Sequence, residues 1–283
     1  MSTTIDVAFI TQFEREVHEA FQRMGSKLRE TVRLKTGVNG SSTTFQVIGK
    51  GTATTKARHG VITPMNQTHT AVPCTLSDFY AGDWVDKLDE LKINIDERQA
   101  VANGGAYALG RKVDEQILTA LDGTTQTVVT WVVTSEAAIR NSLIDMVQAA
   151  NANDVPDDGQ RYGVLSSQAW AFASVVEEWS SADYVAPGDR PFAGRFQMKD
   201  WMGVKWMSHT GVPGVGTATS KNFLYHRSAV GYGEGMGVTS DITWHGDHAA
   251  HFVNNMMSGG ACLIEDAGVI EGNVDDTAAL PTS

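Results

Sequence analysis

Apolar and small residues recur every fourth position from Val101 through Gly105, Leu109, Val113 and Ile117 to Leu121. A four-residue ridge sustained this long predicts one helix over residues 96–121. Asp96 and Glu97 fall in its first turn, where negative charge suits the helix dipole, and Asp122-Gly123 ends it. At about 1.5 Å per residue this is a rod of roughly 39 Å, longer than most helices of globular proteins. Gly104 and Gly105 sit in its middle, where each glycine costs about 1 kcal/mol relative to alanine. Close packing at that point is therefore expected.

Upstream, Thr11-Gln12-Phe13-Glu14 reads as a capping box. Phe13, Val17, Phe21, Met24 and Leu28 follow at spacings of three and four, with Glu14, Arg15, Glu16, Glu19, Arg23 and Lys27 on the other face. Such an amphipathic helix needs a partner surface. Residues 36–55 are rich in Gly, Ser and Thr around one alternating strand, 44–48. Residues 50–78 are polar with scattered apolar positions, among them Val61, Ile62 and Met65. A structureless run of this length is uncommon inside a compact domain. With a returning strand at 71–76, a projecting two-stranded loop explains it better than disorder.

Residues 124–237 read as mixed α/β. A β-branched strand is expected over 127–134, and Ser135 caps a helix through Ile139, Leu143, Met146, Val147 and Ala150. A turn at 154–159 leads into a strand at 162–166, and Ser167 opens an aromatic-rich helix through Trp170 and Phe172. The last part, residues 222–273, alternates short apolar strands with glycine turns. It ends on two apolar runs, Ala261 to Ile264 and the pair Val269-Ile270. No internal repeat or low-complexity tract is evident.

The 283 residues suffice for one large domain or two modest ones. A net charge of −11 argues against a protein whose main task is gripping nucleic acid, because phosphate binding needs clustered Lys and Arg. It does not exclude enclosing DNA, since an acidic wall repels a packaged polymer and leaves it free to exit; it is equally compatible with an ordinary soluble enzyme, so charge alone decides little. No apolar run approaches the roughly 20 residues that span a bilayer. The amino terminus lacks the basic and apolar regions of a secretory signal. Cys74 and Cys262 have no metal-ligand spacing and read as reduced filler residues rather than a disulfide.

Few constellations suggest chemistry. His245, His248 and His251, with Asp247, invite a metal reading. In strands, however, His245 and His251 would face one side and His248 the other, so surface or interface histidines are favoured and no metal or cofactor is expected. Gly231, Gly233, Gly235 and Gly237 do not match a dinucleotide fingerprint and read as a flexible turn between strands. The pairs Asp157-Asp158, Glu177-Glu178 and Asp275-Asp276 read as solvated faces rather than a catalytic dyad across a cleft. Trp201 and Trp206 flank an expected turn and read as packing rather than a carbohydrate platform.

The segment Arg227-Ser228-Ala229-Val230-Gly231, then Gly260-Ala261-Cys262-Leu263-Ile264, then Gly268-Val269-Ile270 resembles the carboxy-terminal part of tailed-bacteriophage major capsid proteins. In element order the resemblance extends over about residues 9–272. It implies an α+β fold of the Hong Kong 97 type: an N-terminal arm (1–45), an extended loop (46–85), a peripheral domain with the long spine helix and long strands (86–123 and 238–275), an axial domain (124–237) and a flexible tail (276–283). It implies a non-enzymatic subunit that assembles as hexamers and pentamers into an icosahedral head around double-stranded DNA, built in the bacterial host cytoplasm and without a membrane. Portal and decoration proteins are the other expected partners. Many members begin with a helical scaffolding segment that is later cleaved; here the arm-like helix starts at Thr11, so either a separate scaffolding protein serves, which Met1 favours, or the sequence is already mature. Assembly candidates are Phe13, Val17 and Phe21 on the arm, Lys56 and Arg58 on the loop, and Gly104 and Gly105 as a hinge in the spine. Some members join a loop lysine to an asparagine of the returning strand; most lack that bond, and Lys56 and Asn254-Asn255 are the residues of those types here. An encapsulin-type compartment shares the fold and is the nearest alternative. A metal-dependent hydrolase using the histidines at 245–251 is a more distant one.

Overall fold

The computed structural model describes residues 25–88, 97–180 and 198–281. Four helices and twelve strands fall within them. The chain divides into two compact units, whose boundaries lie inside the long helix and the two longest strands. Phe13, Val17 and Phe21 lie outside the described residues.

In the first unit, the described residues are 25–26, 78–88, 97–112 and 237–258. Strand β4 (Ser77–Asp86) lies beside β11 (Ala250–Leu263), which neighbours β10 (Val230–His245). Alternation along β11 turns Val253, Asn255 and Met257 inward. Val253 joins Val85 and Ala102 in a small apolar core, with Val101 packed on it. Ala102 and Val101 come from the expected long helix, here α1 (Glu97–Leu121). The tight packing expected at the glycine pair occurs at one member. A Cβ on Gly105 would overlap Asn255 Nδ2 and lie 3.1 Å from the Ala81 carbonyl, whereas one on Gly104 would meet nothing within 4 Å.

The second unit comprises residues 27–77, 113–236 and 259–283, described as far as 281. Its centre is a six-stranded sheet in the order β5-β12-β9-β6-β8-β7. These strands are β5 (Val129–Thr130), β6 (Arg161–Leu165), β7 (Lys199–Trp201), β8 (Val204–Ser208), β9 (Ser220–His226) and β12 (Val269–Val274). β6 runs parallel to β8 and antiparallel to β9, and β9 is antiparallel to β12. Helices α2 (Glu136–Ala152), α3 (Ser167–Val175) and the short α4 (Glu177–Ser180) supply the rest of the core. Ile139, Leu143 and Met146 of α2 meet Phe172 of α3, Leu224 of β9 and Ile270 of β12 there.

Several local expectations hold. Ser135 Oγ accepts from the Ala138 N–H at 3.3 Å and caps α2. Trp201 and Trp206 pack against Trp179 with centroids 5.4 and 6.2 Å away, and Trp206 is fully buried. The turn between them places Met202 and Gly203 at positive φ.

Ser167 opens α3 as expected, and Ser166 caps it: its Oγ accepts from Ala169 N–H at 3.0 Å while donating to Asp276 Oδ1. Others need correction. The strand expected over 127–134 shrinks to β5, because Val132 N–H goes to the Ser142 hydroxyl instead of a ladder. The glycine series 231–237 is not a turn but the interior of β10. Gly231 and Gly233 are bare because Phe45 and Thr43 press on that face, and a Cβ would come within 2.7 and 3.0 Å of them. β12, expected among the long strands of 238–275, pairs with β9. Residues 276–278 are not free: Asp276 N–H reaches the Thr217 carbonyl and Gln168 reaches that of Ala278.

From Lys27 onward the segment expected as arm belongs to the second unit. Leu28 and Val32 are fully buried, and β1 (Arg33–Thr36) pairs in parallel with the start of β10, Arg33 opposite Gly231. Asp114, on α1, anchors this entry: Oδ1 accepts from Lys27 and Leu28 N–H at 3.1 and 3.0 Å, and Oδ2 from His209 Nε2 at 3.0 Å. Gly211 N–H donates to His209 Nδ1, so that nitrogen carries no proton and Nε2–H points at the carboxylate.

Candidate functional site

The projecting loop expected at 46–85 is built on β2 (Ser42–Ile48) and β3 (His69–Thr75), an antiparallel ribbon with Ser42 opposite Thr75 and Ile48 opposite His69. Alternation turns Thr43 and Phe45 inward at its root, where Phe45 is 3% exposed. Lys50 Nζ pairs with Asp154 Oδ2 at 2.8 Å just past the strands, though both side chains are largely exposed and the pair adds little. Beyond it, residues 50–68 carry no strand. The tip closes on a turn in which Gly60 N–H reaches the Ala57 carbonyl and His59 adopts φ 67°. Lys56 Nζ donates to the Gly60 carbonyl at 3.3 Å and Arg58 is exposed beside it.

The apolar residues at 61–65 are not packed in a core. Val61 is 92% exposed, Ile62 70% and Met65 51%. In the first unit the outer part of β10 is similar, with Val238, Ile242 and Trp244 all exposed. In the sequence Val61, Ile62 and Met65 are apolar positions on an otherwise polar segment, which is the signal that marks them.

The histidines do not converge on a metal. His245 ends β10, His248 lies in the hairpin turn, and His251 is on β11. Trp84 stacks with His245 and His248 at centroid distances of 5.2 and 4.6 Å, and His251 packs on Trp244. Among the described residues no group of three His, Cys, Asp or Glu side chains is arranged to hold a metal ion.

The carboxylate pairs serve as local fasteners. Asp158 bonds His226, Glu178 pairs with Arg140 at 2.6 Å, and Asp275 accepts from Thr277. Asp266 gathers four donors. Burial opposes its ionisation, but hydrogen bonds from the Thr125 hydroxyl, Gln126 Nε2, Thr125 N–H and the Thr124 hydroxyl outweigh that and hold its pKa down to about 2. Around Gly104 and Gly105 an open groove of about 300 Å³ is lined by Ala81, Gly82, Asp83 and Val101. It contains no nucleophile–base pair.

The mixed helix and sheet structure of the described residues matches phage capsid folds of the Hong Kong 97 type. A solved structure from Mycobacterium phage Che8 is similar over 96% of this chain and 98% of that one, with 17% identity and a TM-score of 0.74. The capsid structure of cyanophage P-SCSP1u is similar over 97% and 95%, at 15% identity and a TM-score of 0.73. The capsid of Ralstonia phage GP4 is similar over the full length of both chains, at 12% identity and a TM-score of 0.72. No curated protein matches the chain. The model of the phage capsid protein family matches residues 5–276. The chain belongs to that family, and it is a structural protein of the phage head, a capsid subunit that assembles with copies of itself.

Proposed function

We propose that this major capsid protein assembles as hexamers and pentamers into a closed icosahedral shell, with the loop of each subunit lying over its neighbour. The observation that carries this reading is the loop tip. Three large apolar side chains, Val61, Ile62 and Met65, stand in solvent on the strandless segment beyond the β2–β3 ribbon. Contiguous exposed apolar surface on a soluble protein marks an interaction site. A typical specific interface buries about 1,600 Å², and a shell subunit makes several. Phe13, Val17 and Phe21 of the arm would supply another such surface, and Lys56 and Arg58 would bring positive charge to acidic neighbours.

The wall encloses double-stranded DNA without reading its sequence, and the net charge of −11 suits release. Assembly takes place in the bacterial host cytoplasm around a separate scaffolding protein, with a portal at one vertex and, on heads that carry them, decoration proteins outside. The arm, loop, peripheral and axial divisions provide the moving parts. Gly104 and Gly105 form the hinge of the spine during shell expansion; the open space at Gly104 supports this, since packing gives no reason for a glycine there.

Val61→Asp and Ile62→Asp test the reading. Both positions are exposed, so the subunit should fold with stability unchanged to within about 0.5 kcal/mol. Sedimentation should show closed shells for the original chain and none for the double variant. Shells of normal yield from that variant would overturn the role of the loop.

A further inference from the structure

Cys74 and Cys262 are far apart in sequence, yet the second unit brings them together. Cys74, near the end of β3, is 1% exposed, and its thiol donates to the Gly260 carbonyl of β11 at 3.2 Å. A Cβ on Gly260 would overlap the Thr75 carbonyl, so that face of β11 is covered by β3. Cys262, two residues further along the same strand, projects from the same face. Cys74 Sγ, held at the Gly260 carbonyl, therefore lies within one strand repeat of Cys262. Both are reduced here, and Cys262 is only half-buried. No other described cysteine competes with them, because the chain has two.

We propose that this pair is a covalent modification site, closing into an intrachain disulfide that ties the root of the extended ribbon to β11 when the protein meets an oxidising medium. The reaction is thiol–disulfide exchange with a small external disulfide such as glutathione disulfide. Cys262, the reachable thiol, loses its proton and attacks one external sulfur, expelling one thiolate. Cys74 then attacks Cys262 Sγ in the mixed disulfide and expels the second. The protein gives up two electrons and two protons, and the external disulfide leaves as two thiols. Cys74 is placed for the second step because it is held against the face of β11 from which Cys262 projects, two residues along the strand. In a reducing cytosol the pair stays open. The covalent tie would then form after release and fix the ribbon at its base.

Incubating the purified full-length chain with glutathione disulfide, followed by thiol counting and intact-mass analysis, tests this. The expected product has lost both thiols, is lighter by two hydrogens, carries no glutathione, runs as a single chain on a non-reducing gel and reverts with reductant. Cys74→Ser should stop at one glutathione adduct on Cys262, and Cys262→Ser should react slowly or not at all. A wild-type product that keeps both thiols, ends as a stable glutathione adduct or links two chains would overturn the proposal.

Discussion

Gly104→Ala and Gly105→Ala should shift stability in opposite directions although the two residues are adjacent on one helix. Alanine is favoured over glycine inside a helix by about 0.5–1 kcal/mol, partly through the unfolded chain. At Gly104 an added Cβ meets nothing within 4 Å, so that gain should be realised in full. At Gly105 the Cβ would overlap Asn255 Nδ2 and come within 2.9 Å of its Cγ. Asn255 is fully buried; its amide donates to the Ala81 carbonyl at 3.2 Å and accepts from the Ser240 hydroxyl. Moving that amide leaves buried polar atoms unpaired, at a cost of about 1–3 kcal/mol. After subtracting the helix gain, Gly105→Ala should lose about 1–2 kcal/mol. Urea denaturation of unassembled subunits reads both values. Asn255→Ala in the Gly105→Ala background should recover part of the loss, a coupling of about 1 kcal/mol expected only for groups in contact. If Gly105→Ala is as stable as Gly104→Ala, the packing argument is wrong.

Asp114→Asn should destabilise the subunit by about 2–4 kcal/mol, since a buried carboxylate that accepts from two backbone N–H groups and His209 becomes an amide with donors facing donors; thermal melts would show it. Asp266 has a folded pKa depressed below its unfolded value, so its contribution is fully present above about pH 4 and is lost as pH falls through about 2. Asp266→Asn should accordingly be less stable than the original chain at neutral pH and converge with it near pH 2; a gap that persists unchanged in acid would contradict this. If Gly104 and Gly105 bend the spine, shells of Gly104→Ala should expand more slowly than the original, as light scattering or electron microscopy of expanding heads would show.

Periodicity carried much of the fold. The ridge from Val101 to Leu121 gave α1, and alternation at Thr44 to Ile48 gave one strand of the ribbon, because both depend on which side of a local element faces apolar neighbours. Ser135 was readable as a cap for the same reason: its partner is three residues away. What failed depends on distant chain. Gly231 and Gly233 suggest a turn by composition, and only the presence of Phe45 and Thr43 shows them to be flattened strand. The approach of Cys74 to the strand that carries Cys262 and the contact of Asp114 with His209 leave no trace in spacing. The proposed assembly surface was partly legible. Apolar residues on a polar loop implied something to cover them, but not which of them would be most exposed.

Cryo-electron microscopy of the purified full-length protein, alone and with its candidate scaffolding protein, tests the capsid reading most directly. Closed shells of hexamers and pentamers are expected, with density for residues 50–68 lying across an adjacent subunit and Val61 and Ile62 covered. A uniform population of monomers or dimers under both conditions, or shells in which the loop tip stays in solvent, would contradict it.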